Sequence, residues 1–307
     1  MTSAKNDFIK RIRTLKKSIS ETEAVRSKAP SEIEHNEVAR MLRNGLAVVG
    51  FASLEDFIKA RCREVLQSIG NVGIKFEKLP EKIQIASTHG AIAALNYQLN
   101  FRSKEEKLSF VQEHALKISS TANDSYELTY LAFGFNQPNL NAESIKAILK
   151  CFNIEDPWKQ ITNIGSELGL VALPLEISFT NAALRRHRAA HVAEADTPQN
   201  DISEFVNEAI GIAIGFDFLL TKALNTIESR DDNYLKGNTT ITSSAISYRV
   251  VKHAGGIWKE YVNKKTRAFR TNENINDLSE EAKSRAKKSH QFYIELDENN
   301  LIKDWAY

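Results

Sequence analysis

The feature that most constrains the fold is an apolar stretch at residues 201–227. Its large apolar side chains recur on nearly every side of a helix; they are Ile202, Phe205, Val206, Ile210, Ile212, Ile214, Phe216, Phe218, Leu219 and Leu220. A helix that is apolar all round is buried on most sides, in a core or in a subunit interface. Asp217 interrupts the stretch, and its most apolar part, residues 209–220, is shorter than the roughly 20 residues of a membrane span. The pattern predicts a buried helix rather than a transmembrane one.

Composition narrows the class of protein. The 307 residues include only 6 Pro and 13 Gly, which disfavours an all-β chain with many tight turns. The 41 Lys and Arg nearly balance the 39 Asp and Glu, which gives a net charge of +2. Any binding to nucleic acid must therefore come from a local basic patch. The two cysteines, Cys62 and Cys151, form no motif and indicate a reducing compartment. No signal peptide is recognisable, so we expect a cytoplasmic protein with no membrane partner.

The N-terminal part predicts two helices. In the first, Phe8, Ile12, Leu15 and Ile19 recur at helical spacing among many basic residues, which is typical of an amphipathic basic helix. A long second helix is predicted from a capping box at Ser31 to a stop at residues 70–73. Gly45 and Gly50 lie inside it, and we expect close packing at both.

Further helices are predicted at about 88–100, 104–119, 142–151, 157–169, 178–196 and 201–227. Ser103 and Asp201 are expected to cap two of them, and Pro157 to stand at a first helical position. Beyond residue 231 the pattern changes to a strand at 239–251, a charged helix at 279–290 and a hairpin formed by 292–296 and 301–305. We therefore predict three parts: a basic helix at 1–34, a helical domain at 35–230 and a mixed α/β appendage at 231–307.

One run concentrates cationic and titratable groups: Leu184-Arg185-Arg186-His187-Arg188-Ala189-Ala190-His191, closed by Ala195-Asp196. On a helix, His187 and His191 lie one turn apart on one face, with Arg188 beside them and Arg186 on the adjoining flank. A phosphate at that surface would meet guanidinium groups and imidazoles together.

The hexapeptide from Arg186 to His191 resembles the signature of the HEPN superfamily: an arginine, a polar residue, three residues and a histidine. The wider run from Arg185 to Asp196 is similar to the RiboL-PSP-HEPN group. Residues 43–60 with Glu55, and Asn136-Gln137-Pro138-Asn139 before residues 145–158, resemble that group as well. The resemblance covers roughly residues 35–230 and neither end of the chain.

This resemblance implies an all-α HEPN bundle that forms a homodimer and acts as a metal-independent endoribonuclease of a toxin–antitoxin or antiphage system. Arg186 and His191 would be catalytic, with His191 transferring a proton and Arg186 stabilising the phosphate. Arg185, His187 and Arg188 would bind substrate phosphates, and it stays open whether Arg185 or Arg186 is the key arginine. The expected partners are RNA, a second copy of the chain and a protein that inhibits or activates it; no cofactor and no metal are expected.

Three other interpretations of the run stay open. His187 and His191 have the spacing of helical zinc ligands, with Glu194 as a third, although Arg188 stands where metalloproteases carry a glutamate. The run could be a solvated basic face paired with Glu194 and Asp196. It could also belong to a HEPN domain that binds RNA or a partner without cutting. Separately, the basic stretch at 252–270, which includes Trp258, Tyr261 and Phe269, could grip single-stranded RNA or simply be solvated.

Overall fold

The computed structural model describes residues 3–170, 174–298 and 300–307. In these ranges the chain forms a helical body followed by a sheet with one covering helix. The helices are α1 (Ser3–Glu21), α2 (Ile33–Gly70), α3 (Glu81–Ile85), α4 (Ala91–Gln98), α5 (Lys104–Ser120), α6 (Ala142–Cys151), α7 (Pro157–Glu167), α8 (Leu175–His191), α9 (Gln199–Glu228), α10 (Asp232–Leu235) and α11 (Ile275–Lys288). The strands are β1 (Tyr248–Ala254), β2 (Ile257–Val262), β3 (Arg270–Asn272), β4 (Phe292–Leu296) and β5 (Ile302–Ala306).

The apolar stretch forms α9, the central helix of the body. It packs against α1, α2, α7 and α8. The helix is long and apolar enough to cross a bilayer, but 83% of its most apolar window is buried inside the fold. At Gly215 an added Cβ would lie 3.0 Å from the Cα of Ile161, so α7 and α9 approach closely. The prediction of a buried helix is confirmed.

The long helix α2 carries α1 along one side. The rings of Phe8 and Phe57 join the two helices, with centroids 5.0 Å apart. A Cβ at Gly50 would lie 2.8 Å from Leu15 Cδ2, which confirms close packing there. The same expectation is wrong for Gly45, since nothing lies within 4 Å of an added Cβ.

Helix ends follow the sequence where the cap is local. Ser103 forms the expected capping box with Glu106, and Pro157 begins α7. The Ser31 prediction is wrong, because α2 begins at Ile33 without a side-chain cap. The Asp201 prediction is also wrong: α9 begins two residues earlier, after Pro198, and Asp201 lies in its first turn. The helix predicted at 88–100 begins at Glu81 as α3 and continues through a π-helical turn at 86–90 into α4.

The C-terminal part contains a five-stranded mixed sheet in the order β3-β2-β1-β4-β5. Strands β1 and β4 pair in parallel, and the other neighbours are antiparallel. Helix α11 covers one face, and the other rests on the body, where the rings of Phe218 and Phe292 stack with centroids 3.9 Å apart. The predicted helical bundle and mixed α/β appendage are both present, so "all-α" describes the body and not the whole chain.

Within the appendage, the predicted hairpin strands are confirmed as the antiparallel pair β4 and β5. Asn299 of the predicted connection lies outside the described residues. The strand expected at 239–251 begins only at Tyr248, because residues 243–245 form a 3-10 turn. The basic stretch at 252–270 contains the end of β1, all of β2 and the first residue of β3, and the sequence predicted neither β2 nor β3.

Candidate functional site

The motif run lies on α8, which ends at His191 rather than at residue 196. The buried side of α8 carries Phe179 and Ala182. The ring of Phe179 packs against Phe51 of α2 and Trp158 of α7, with centroids 5.2 and 5.5 Å away. Helix α8 is thus held between two neighbours, and its opposite side faces solvent.

The segment after α8 is fastened to the N-terminal half of α2. Three polar contacts hold it: Arg40 Nη1 to Glu194 at 3.0 Å, Arg43 Nη2 to Asp196 at 2.6 Å, and Asn44 Nδ2 to the carbonyl of Ala195 at 2.6 Å. The buried Arg43 also donates to the carbonyls of Val25 and Thr197. The Ala195-Asp196 part of the motif therefore fixes the end of α8 that bears His191.

Arg186 continues the buried side of α8, one turn beyond Ala182. Its Nη2 donates to Oδ1 of Asn139, 3.1 Å away, in the loop before α6. Its Nε is buried and has no hydrogen-bond acceptor among the described residues. One guanidinium is thus oriented by a loop amide while a further donor stays unused.

Glu55 of α2 lies close to the same guanidinium. The carboxylate is buried, and Oε1 accepts a hydrogen bond of 2.6 Å from the backbone N–H of Leu140. Burial raises the pKa of Glu55, and this effect is opposed by the Leu140 hydrogen bond and by the positive charges of Lys59 and Arg186. Arg186, Glu55 and Asn139 form what we call the arginine cluster, which joins three distant parts of the chain.

The other predicted site residues separate into two environments. Arg185 points toward the start of α9, where its Nη1 lies 3.6 Å from Oδ2 of Asp201. His187, Arg188 and His191 are exposed, and the two imidazole rings lie 4.8 Å apart between centroids. The structure therefore brings His187 and His191 together, and it places Arg185 and Arg186 in different contacts.

The zinc interpretation lacks its third ligand. The carboxylate of Glu194 pairs with Arg40. Across residues 3–170, 174–298 and 300–307, no three His, Cys, Asp or Glu side chains gather closely enough to hold a metal ion.

Glu55 and Asn139 were missing from the predicted site. The resemblance had marked Glu55 and the segment Asn136 to Asn139, but one sequence cannot show which of their side chains meets an arginine 47 residues beyond Asn139. Arg43 and Asn44 gave no signal, because their partners are backbone groups and side chains that lie far from them along the chain.

Comparison with known proteins gives a match to a family model. Searches of curated proteins and of solved structures found no match. The family model described as RiboL-PSP-HEPN matches residues 6–222, which is more than half of the chain. The matched region begins within α1, ends within α9 and contains the motif helix and the arginine cluster. The chain therefore belongs to the RiboL-PSP-HEPN family.

Proposed function

We propose that this protein is a metal-independent endoribonuclease that acts as a homodimer, as the effector of a toxin–antitoxin or antiphage system. Family membership supports a HEPN-type nuclease or RNA-binding module in general. The observation that carries the more specific proposal is the pairing, on one helix, of an oriented arginine with an unused buried Nε and two exposed histidines. A protein that restrains or triggers the activity is part of the same proposal.

The residues fit the chemistry of RNA cleavage by its own 2′-hydroxyl. That hydroxyl loses a proton and attacks the phosphorus, while the departing 5′-oxygen gains a proton. Histidine titrates near neutral pH, so it can act as base or acid. Arginine stays charged and donates to the oxygens of the five-coordinate transition state. We assign proton transfer to His191 and phosphate stabilisation to Arg186.

Arg186 is preferred over Arg185 because Arg185 is paired with Asp201, whereas Arg186 forms no salt bridge within the described residues and keeps a buried Nε unused. His187 lies beside His191 and is proposed to orient it or the phosphate. Arg188 is exposed and is proposed to contact the RNA backbone. Arg185 would add only a long-range attraction for phosphate.

A single chain supplies one His191, whereas the reaction needs two proton transfers, so we propose that two copies share one site. Exposed apolar side chains on adjoining helices support this. On α8, Ile177 and Leu184 are exposed and precede His191 at steps of seven residues, so the three lie on one side of the helix. The N-terminal half of α2 exposes Val38, Met41, Leu42 and Val49. A second copy docking on this face would bring two copies of the motif together.

His191→Ala tests the enzyme claim. We expect the wild-type protein to cleave cellular RNA, including tRNA, in EDTA, and the variant to lose at least about a hundredfold in rate. His89→Ala, which removes an exposed histidine outside the motif, should cleave normally. Expression of the wild type should slow growth, and expression of the His191 variant should not.

Two results would count against the proposal. Absence of EDTA-resistant cleavage by the wild type would leave an RNA-binding or protein-binding HEPN module. Equal cleavage by the wild type and the His191 variant would remove His191 from the mechanism.

A further inference from the structure

Beyond the arginine cluster, α2 carries a row of cations. Lys59 and Arg63 follow Glu55 at steps of four residues, so the three lie on one face of the helix. Successive members of the row are separated by about 6 Å along the helix axis. Lys59 is close enough to Glu55 to influence its pKa. The row thus begins at the arginine cluster and leads away from it.

Neither cation forms a salt bridge within the described ranges, although Lys59 acts on the charge of Glu55 and Arg63 on that of Glu113. Each lies over an aromatic ring. The Nζ of Lys59 is 5.5 Å from the centroid of Phe135, and the guanidinium of Arg63 is 4.2 Å from the centroid of Tyr130. A guanidinium held against a ring keeps its N–H groups available in the ring plane. Nearby cations differ, since Arg11 pairs with Asp56 and Lys117 with Glu113.

Open space lies on both sides of Arg63. A hollow of about 390 Å³ is lined by Lys59, Arg63 and Phe135 together with α1 residues such as Phe8. A second hollow, of about 410 Å³, is lined by Arg63, Tyr130 and residues near the end of α2, and its rim also carries Lys117 and the carboxylates of Glu113 and Glu127. Arg63 lines both hollows, so the two lie side by side along α2 and border one ring each. We call this pair of hollows the groove.

We propose that this groove, defined by Lys59, Arg63, Tyr130 and Phe135, binds a single-stranded RNA segment that flanks the scissile phosphate. The inference rests on the proposed function for the nature of the ligand. Cations held against half-buried aromatic rings suit a single strand, since the cations meet its phosphates and the exposed parts of the rings contact its bases. Lys59 follows Glu55 by one turn of α2, so the groove begins about one turn from the arginine cluster, where a strand would leave the cleavage site.

The test measures binding separately from cleavage. The full-length His191→Ala protein is titrated with fluorescein-labelled oligouridine and with a mixed-sequence single-stranded RNA, at several salt concentrations. Adding Lys59→Gln and Arg63→Gln should weaken binding about tenfold or more. The plot of log affinity against log salt should become shallower by about 1.4, which is twice the roughly 0.7 expected per phosphate contact. Tyr130→Leu should weaken binding about fivefold or more and leave the salt slope unchanged.

The matched control is Lys287→Gln with Lys288→Gln, which removes two exposed charges from α11. If the groove variant binds RNA as tightly as this control, or if the parent protein binds no single-stranded RNA, the inference is wrong. If the groove instead binds an acidic protein segment, the groove variant should bind RNA as tightly as the control. A wild-type protein that binds RNA through the groove but does not cut it would overturn the proposed function and leave this inference standing.

Discussion

At the scale of single residues, Glu55 is the most unusual group near the motif. It is a buried carboxylate beside Arg186, and the Leu140 hydrogen bond and two cations only partly offset its burial. A carboxylate in this position holds the loop before α6 and tempers the charge of the arginine. We therefore regard Glu55 as a positioning residue for Arg186.

This environment predicts a pH dependence of stability. Burial raises the pKa of Glu55 above its ordinary value of 4.5 in the folded state. The folded protein therefore binds the proton more tightly than the unfolded chain. The resulting stabilisation is fully present below pH 4.5 and is lost as the pH rises through the raised pKa. Urea unfolding of the wild type across this range should show the decline, and Glu55→Gln should abolish that part of it.

The control for this experiment is Glu273→Gln, which changes an exposed glutamate in the appendage and should keep the wild-type pH profile. An unchanged profile in the Glu55 variant would mean that this carboxyl group titrates alike in the folded and unfolded states.

At the scale of elements, the sequence predicts helices well where their signals are local. Helices α5 and α7 begin where Ser103 and Pro157 predict, since a cap or a proline acts within one turn. The end of α8 was predicted five residues too late, because Arg43 and Asn44 of a distant helix draw residues 195–197 out of helical geometry. Strand β2 was missed because it lies within the stretch 252–270, whose basic composition is typical of solvated surface, and because its pairing depends on β1.

The residues of the candidate site were likewise predicted only where the signal lies within one helix. Arg186 and His191 were predicted because the motif fixes their spacing within one helix. The hydrogen bond of Arg186 to Asn139 and its electrostatic effect on Glu55 depend on the packing of α8 against α2 and the loop before α6. Contacts of that kind are absent from local patterns and become visible only in the folded chain.

The fastening of α8 to α2 yields a prediction at this scale. Arg43→Met removes a buried guanidinium and leaves the carbonyls of Val25 and Thr197 without their donor. We expect a loss of about 2 kcal/mol in the free energy of unfolding. Amide hydrogen exchange should become faster around residues 189–197, since the end of α8 loses its anchor.

Arg40→Met is the matched control for this fastening, because the partner of Arg40 is the exposed Glu194 and solvent screens that pair. It should change stability little. Equal effects of the two substitutions would show that the buried contacts of Arg43 are not what anchors the end of α8.

At the scale of the whole molecule, the three parts predicted from composition share one core. The main apolar cluster includes Phe8 from the first part, Phe57 from the second and Trp305 from the third. A buried polar network ties them further: Asp217 of α9 accepts hydrogen bonds from Arg61 Nε at 2.5 Å and from Trp305 Nε1 at 2.7 Å. Strand β5 packs against the helical body through Trp305. The domain boundaries at residues 34 and 230 stay a prediction from the sequence.

This arrangement predicts that the appendage and the helical body unfold together. Trp305→Phe keeps an aromatic ring against Phe57 but removes the indole N–H, so one carboxylate oxygen of the buried Asp217 loses its donor. We expect the free energy of unfolding to fall by about 1–3 kcal/mol. Unfolding monitored by circular dichroism and by tryptophan fluorescence should show a single cooperative transition. Trp258→Phe, on the α11 side of the sheet, should have a smaller effect, because Trp258 is only partly buried. If two separate transitions appear, with helical signal remaining after the sheet has unfolded, the appendage is an independent unit. Asp217 would then lose its Trp305 hydrogen bond and become exposed each time β5 detaches, although the helical body stays folded.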